Sequence, residues 1–226
     1  MKYIVIIPAR GGSKRLKNKN ILLLNNLPLI AHSILYANKF DFLKKKDIWV
    51  NTDDNTIENI SNNYECGVYR RPDFLGTDKI KTSSVLKEQV ESMLLKGINF
   101  DAVILLQPTN PFRTKDLLIN CIKTFEASKR SSLATFSSLT KKIGKFENNS
   151  FYPINYKPGD RSQDLEKFIF ENGLIYISKV ECILNDEIIS KDVYPFIFDH
   201  EFSNVDIDTK EDFIHAKKFL KNINNV

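Results

Sequence analysis

The chain has 226 residues, 42% of them hydrophobic, with 33 basic side chains against 28 acidic ones and a net charge of +5. This supports a sizeable core in a single domain spanning residues 1–226 and suits an anionic substrate. It excludes a membrane-spanning chain, since nothing approaches ~18 consecutive apolar residues, and the scattered cations argue against a nucleic-acid-binding face.

Cys66, Cys121 and Cys182 form no C-x-x-C pair and no metal-like spacing, which points to reduced, buried thiols in a reducing compartment. The N-terminal apolar run ends at Pro8 and is followed by cations, the wrong order for a signal peptide, so the expected location is cytoplasmic.

In chain order, Ile4 to Ile7 reads as a buried strand that breaks at Pro8 into a loop carrying Arg10, Gly11, Gly12, Lys14, Arg15, Lys17 and Lys19. Adjacent glycines permit positive φ and close backbone approach to a ligand. Such a loop is either an anion-binding nest or a solvated basic loop. Neither G-x-x-x-x-G-K-[ST] nor G-x-G-x-x-G is present, so any phosphate is held in a third way.

A helix over residues 28–40, a strand at 48–50, a helix at 57–64, a strand at 67–69 and a helix at 83–95 follow. Ala102 to Leu106 is continuously apolar, as a central strand covered on both faces should be. A helix at 117–125 and a strand at 132–137 complete the alternation, which predicts an α/β fold with a mostly parallel sheet and helices on both faces.

Beyond about residue 138 the pattern turns polar and aromatic, and residues 139–170 read as an excursion, either a substrate flap or a dimer arm. Two strands are expected around Glu171-Asn172-Gly173. The chain returns through residues 194–198 and 205–207 to a last helix at 211–220, opened by Thr209 and Asp212 as a capping box.

Ligands in such a fold collect beyond the carboxyl ends of the strands. Gln107-Pro108-Thr109-Asn110-Pro111-Phe112-Arg113 forms a proline-fixed turn there. It either presents Gln107, Thr109, Asn110 and Arg113 to a ligand or is a rigid turn with a helix cap. In Asp206-Ile207-Asp208 the two carboxylates at i and i+2 face one way, a pattern that holds Mg²⁺ or, alternatively, sits as a surface residue and a cap. Thr82, Ser83 and Ser84 are either ligand donors or N-capping hydroxyls. His32 and His215 lie in helical stretches and read as structural.

Taken together, Ile7-Pro8-Ala9-Arg10-Gly11-Gly12-Ser13-Lys14, Lys19-Asn20, Thr52-Asp53, Arg71-Pro72, the 105–113 segment, Glu171-Asn172-Gly173-Leu174-Ile175-Tyr176 and Val205-Asp206-Ile207-Asp208-Thr209 resemble the CMP-sialic acid synthetases, or acylneuraminate cytidylyltransferases. The resemblance implies a three-layer, Rossmann-like nucleotidyltransferase fold. It implies a homodimer in which the 139–170 excursion crosses to the partner subunit, and transfer of CMP from CTP to the anomeric hydroxyl of a nine-carbon 2-keto sugar acid, with release of pyrophosphate.

By position it further implies that Arg10, Lys14 and Asn20 bind the triphosphate, with Arg71, Thr82 and Ser84 near the nucleotide. Gln107 would face the sugar acid, and Thr109, Asn110 and Tyr176 would add substrate contacts. Asp206 and Asp208 would hold Mg²⁺. Arg161, Lys14 and Asp208 take catalytic roles, and Lys145 approaches the sugar.

Where the resemblance leads one to expect two aromatic residues near the acyl group, this chain has Ile189 and Ser190, so the expected acid is N-acetylneuraminate or a related one such as legionaminate. The 172–176 segment argues against a pseudaminate enzyme. The competing readings are a CMP-Kdo synthetase, acting on an eight-carbon acid, and a non-catalytic nucleotide- or RNA-binding module.

Overall fold

The computed structural model describes residues 1–77 and 79–223. Its elements are β1 (Tyr3–Pro8), β2 (Leu23–Leu24), β3 (Leu27–Pro28), α1 (Leu29–Ala37), β4 (Ile48–Thr52), α2 (Asn55–Ser61), β5 (Gly67–Arg70), α3 (Thr82–Leu95), β6 (Ala102–Leu105) and α4 (Leu117–Ser128). These are followed by β7 (Ser132–Leu139), β8 (Gly144–Glu147), β9 (Ser150–Pro153), β10 (Phe168–Lys179), α5 (Val180–Leu184), β11 (Tyr194–Ile197) and α6 (Lys210–Ile223). The expected alternation is therefore present. Among the described residues no helix is long and apolar enough to cross a membrane.

Seven strands form one sheet in the order β11-β7-β10-β6-β1-β4-β5. All run parallel except β10, which is antiparallel to both of its neighbours. Side chains alternate across each strand. Val5 and Ile7 pack with α1 and α4 on one face, while Ile4 and Ile6 pack with α3 on the other. This makes three layers, and the strand order reverses at β1, which is flanked by β4 and β6. A crevice is expected beyond the carboxyl ends of β1 and β6.

The three cysteines are free and buried. Burial pushes the Cys121 thiol up to about 12, so it behaves as a small apolar side chain.

Several elements differ from the sequence expectation. The strands expected on either side of Glu171-Asn172-Gly173 are one twelve-residue strand, β10, whose pairing with β7 is irregular between Glu171 and Tyr176. The Asn-Gly pair makes a bulge rather than a break. Gly173 has φ 74°, and the Asn172 amide accepts from the Thr135 hydroxyl at 2.6 Å and donates to that of Ser137 at 3.0 Å.

The 139–170 excursion is shorter than expected, because Leu139 and Phe168 pair within the main sheet. It also contains a hairpin, β8–β9, turned by Asn148 and Asn149 at φ 51° and 59°. Asn25 and Asn26 turn the smaller β2–β3 hairpin in the same way. Both are two-residue turns with positive φ at both central positions, which asparagine tolerates. Residues 205–208 form no strand; Ile207 N–H simply donates to Thr109 O at 2.9 Å. The Thr209–Asp212 capping box is present, with bonds of 2.8 and 3.2 Å.

A Cβ at Gly173 would lie 2.6 Å from Asn110 Oδ1, and Asn110 is buried and held by two hydrogen bonds. With positive φ added, Gly173→Ala should lower stability by about 1–3 kcal/mol. Urea denaturation checks this, and an unchanged midpoint would refute it.

Candidate active site

The crevice is present as a cleft of about 290 Å³ beyond β1 and β6. Its first wall is the basic loop. Ala9 N–H continues the pairing with β4 by donating to Asn51 O, and Gly11 N–H donates to Asp53 Oδ1 at 3.0 Å. Buried Asn20 staples the loop from behind, its Nδ2 donating to Arg10 O at 3.0 Å.

Neither Gly11 nor Gly12 has positive φ, contrary to the sequence expectation. Gly11 is required by proximity, since a Cβ there would sit 2.4 Å from Asp54 Oδ2. Asp54 is itself occupied as the N-cap of α2, accepting from Ile57 N–H. Gly12 has open space where a Cβ would be, so its backbone can be approached closely.

The second wall comes from β5, α3 and the turn after β6. Arg71 is 4% exposed, yet it lines the cleft. Its Nε donates to Asn51 Oδ1 at 2.7 Å and a terminal nitrogen donates to Asn51 O at 3.2 Å. Burial lowers the Arg71 pKa, the Asp53 carboxylate opposes this, and the nearby Arg10 charge adds to it. Thr82 opens α3 without capping it, and it faces the cleft with Gln107 and Thr109.

The electrostatics are lopsided. Arg10, Lys14, Arg15, Lys19 and Arg71 line the cleft, and among the described residues Asp208 is the one acidic side chain in its lining. Lys19 Nζ and Arg15 both donate to Asp208, at 2.7 and 2.6 Å. Asp206 lies across buried Ile207 and lines an adjoining cavity of about 330 Å³ against α6. Its crowded surroundings raise its pKa above the usual carboxylate range; the Asp208 charge adds to this, and the Thr109 hydroxyl opposes it.

The two carboxylates thus feel each other, although each lines a different cavity. Among the described residues no group of three or more His, Cys, Asp or Glu side chains could hold a metal ion. Two neighbouring carboxylates are within what Mg²⁺ takes, since it needs one or two protein carboxylates and completes its shell with water or phosphate oxygens.

Of the residues expected at the site, Arg10, Lys14, Asn20, Arg71, Thr82, Gln107, Thr109 and Asp208 meet in the cleft. Asn110 and Arg113 do not present themselves to a ligand. Asn110 is buried and donates to Asn172 O and Val205 O, while Arg113 donates to Leu174 O, Gln107 O and Ser33 Oγ. The rigid-turn reading of 107–113 therefore holds for these two, and α4 begins at Leu117 with Asp116 at its N-cap position.

Ser84 donates to Asp186. The Tyr176 hydroxyl donates to Glu171 at 3.2 Å, and burial raises its pKa. Lys145 lies on β8, and Arg161 pairs with Asp164 on the exposed arm, so neither lines the cleft.

Ile189 is half-buried against the core cluster that contains Tyr176, and Ser190 bonds to Ser132 at 2.8 Å; neither lines the cleft. Sequence reasoning gave no role to Lys19 and Arg15 at Asp208, or to Asn51 and Gln89 beneath Arg71. The first pairing spans 189 residues, and no local pattern announces it.

The Gly11 contact gives a direct test. Gly11→Ala must push the loop off Asp54, so affinity for tripolyphosphate should fall about tenfold with the fold retained. Calorimetric titration alongside circular dichroism reads both quantities.

A family model described as Cytidylyltransferase matches residues 4–225. The N-acylneuraminate cytidylyltransferase of Streptococcus agalactiae serotype III is 33% identical over 96% of this chain and 52% of its own length, so the chain spans about half of that relative. The CMP-N,N'-diacetyllegionaminic acid synthase of Legionella pneumophila is 31% identical over 98% of this chain and 97% of its own. The pseudaminic acid cytidylyltransferase of Campylobacter jejuni is 29% identical over 98% and 97%.

Among solved structures, a CMP:2-keto-3-deoxy-manno-octonic acid synthetase complexed with CTP superposes with a TM-score of 0.73 over 99% of this chain and 100% of that one. At 16% identity that likeness speaks to the fold. With the motifs in order along nearly the whole length, the chain belongs to the cytidylyltransferase family of nucleotidyltransferase enzymes, alongside the CMP-sialic acid synthetases.

Proposed function

We propose that the chain transfers CMP from CTP to the anomeric hydroxyl of a nine-carbon 2-keto sugar acid and releases pyrophosphate. One observation carries this reading: five cationic side chains converge on a cleft whose single acidic lining residue, among those described, is Asp208. Attack at the α-phosphorus builds charge on the phosphoryl oxygens and on the departing pyrophosphate, so catalysis rests on positioning and charge neutralisation. On this reading Arg10, Lys14 and the backbone at Gly12 would receive the leaving group, with Arg71 and Thr82 on the nucleotide side.

Asp206 and Asp208 would hold Mg²⁺, which supplies Lewis-acid and templating chemistry when bound. Arg15 and Lys19 would then share or leave Asp208 and become available to phosphate. Gln107, fixed through its backbone oxygen by Arg113, is assigned to the sugar acid.

We further propose a homodimer. Phe146, Phe151 and Tyr152 on the β8–β9 hairpin and Ile169 and Phe170 on the arm side of β10 are exposed, a patch that a second copy would cover. Lys145 and Arg161 do not line their own chain's cleft, and the same contact would carry them to the partner's. Phe146→Asp should then convert a dimer to a monomer in analytical ultracentrifugation; an unchanged mass would refute the arm as the interface.

Within the nine-carbon acids we keep N-acetylneuraminate and legionaminate as the first to test. The argument against N-acetylneuraminate from Ile189 and Ser190 weakens, because neither lines the cleft: Ile189 is half-buried against the core and Ser190 is buried. A pseudaminate arm belongs in the panel because a relative carries that name, although the 172–176 segment stands against it. The CMP-Kdo reading shares the fold, whereas the sequence relatives above are named for nine-carbon acids. A general polyanion-binding module would spread its cations over an open face, and here they close on one cleft.

The test is pyrophosphate release from CTP and Mg²⁺ with each acid and with Kdo. Release with none sinks the proposal, and release with Kdo alone moves it to the eight-carbon enzyme. Asp206→Asn and Asp208→Asn should each lower turnover at least about tenfold.

A further inference from the structure

We infer that Gln89 and Asn51 are positioning residues for the nucleotide: a buried amide relay whose orientation aims the Arg71 guanidinium into the cleft. The inference rests on the reading of the cleft as a CTP site. Asn51 and Gln89 are fully buried between β4 and α3, in a helix–sheet contact otherwise made by Leu86, Val90 and Met93. Asn51 Nδ2 donates to Gln89 Oε1 at 2.8 Å, and Arg71 Nε donates to Asn51 Oδ1 at 2.7 Å.

The direction of this chain of bonds is forced. A guanidinium can only donate, so Asn51 must turn its oxygen toward Arg71. Its NH₂ group then faces Gln89, whose carbonyl oxygen is the acceptor it requires. Among the described residues the Gln89 amide nitrogen meets just the Met93 sulfur, at 3.7 Å, so Gln89 is held chiefly as an acceptor.

Without that acceptor, Asn51 would be left with an unsatisfied buried donor. Turning the amide over would set NH₂ against the Arg71 Nε–H. Either way the arginine loses its rest. An apolar pair would pack this contact at lower cost, so the relay is explained by what Arg71 does. With Nε and one terminal N–H committed to Asn51 and a longer bond of 3.4 Å to Leu75 O, the fork keeps donors in hand for a ligand in the cleft.

The experiment compares the wild-type chain with Gln89→Met, which removes the acceptor at similar volume, and Gln89→Glu, which retains an acceptor. Calorimetry gives Kd for CTP, and steady-state rates give KM for CTP, KM for the sugar acid, and kcat. Gln89→Met should raise Kd and KM for CTP about tenfold, with kcat and the sugar-acid KM within about twofold, and Gln89→Glu should recover most of the loss. In an Asn51→Asp background both oxygens accept, so Gln89→Met should cost nothing further in CTP affinity.

An unchanged CTP affinity in Gln89→Met, a parallel loss in kcat and sugar-acid KM, or an undiminished penalty in the Asn51→Asp background overturns the relay. A wild-type chain that does not bind CTP overturns the underlying reading of the cleft and is recognised as such before any variant is compared.

Discussion

The arrangement at the carboxyl end of the sheet depends on a guanidinium buried with no carboxylate paired to it among the described residues. Arg113 donates to Leu174 O at 2.7 Å, Gln107 O at 2.9 Å and Ser33 Oγ at 3.1 Å, and its cation lies 5.6 Å from the centre of the Tyr36 ring. Burial lowers its pKa to about 10, so it stays charged at neutral pH. Three neutral acceptors and an aromatic face replace the water it has lost. Those acceptors belong to α1, the turn after β6, and β10, so one cation locks three elements around the base of the cleft. Gln107 therefore reaches the cleft from an immobilised backbone.

A second clamp lies beside it. Asn110 joins the β10 bulge to Val205, and Thr109 O receives Ile207 N–H. The acidic segment is thus hung from the same turn that carries Gln107. Packing of Ile207 with Phe112, Phe213 and Ala216 completes the attachment through α6. The positions of Asp206 and Asp208 are consequences of this turn as much as of their own neighbours. The basic loop meets this segment through Arg15 and Lys19 at Asp208 and through Leu16, which packs against the same cluster as Ile207.

Much of this was legible in the residues. The apolar run of β6, the alternating faces of β1 and the helical periodicities each carry a strong local signal, and they combine into a parallel sheet by connection rules alone. The converging loop ends followed from topology. What was not legible divides by cause. Asn148-Asn149 and Asn25-Asn26 carry a turn signal that apolar periodicity passes over, since asparagine pairs suit two-residue hairpins. Asn172-Gly173 was read as a stop because that pair usually ends strands, yet here the Thr135 and Ser137 hydroxyls hold it inside one. Asn110 and Arg113 looked like ligand groups because side-chain chemistry does not reveal direction; burial turned both inward. The partners of Asp208 and of Arg71 are tertiary facts with no local pattern.

The antiparallel course of β10 has a further consequence. Because β10 runs against β7, the chain leaves the sheet at Leu139 and re-enters at Phe168 side by side, on the rim where the cleft opens. Asn155 closes the base of the arm by accepting from Ile143 N–H and donating to Lys141 O. A loop rooted on a matched strand pair can gain or lose residues without shifting any register in the sheet, and the entropy of a longer loop grows only slowly. The arm is thus a site where a change of length would cost the fold little, reshaping the rim of the cleft while the register of the sheet stays as it is.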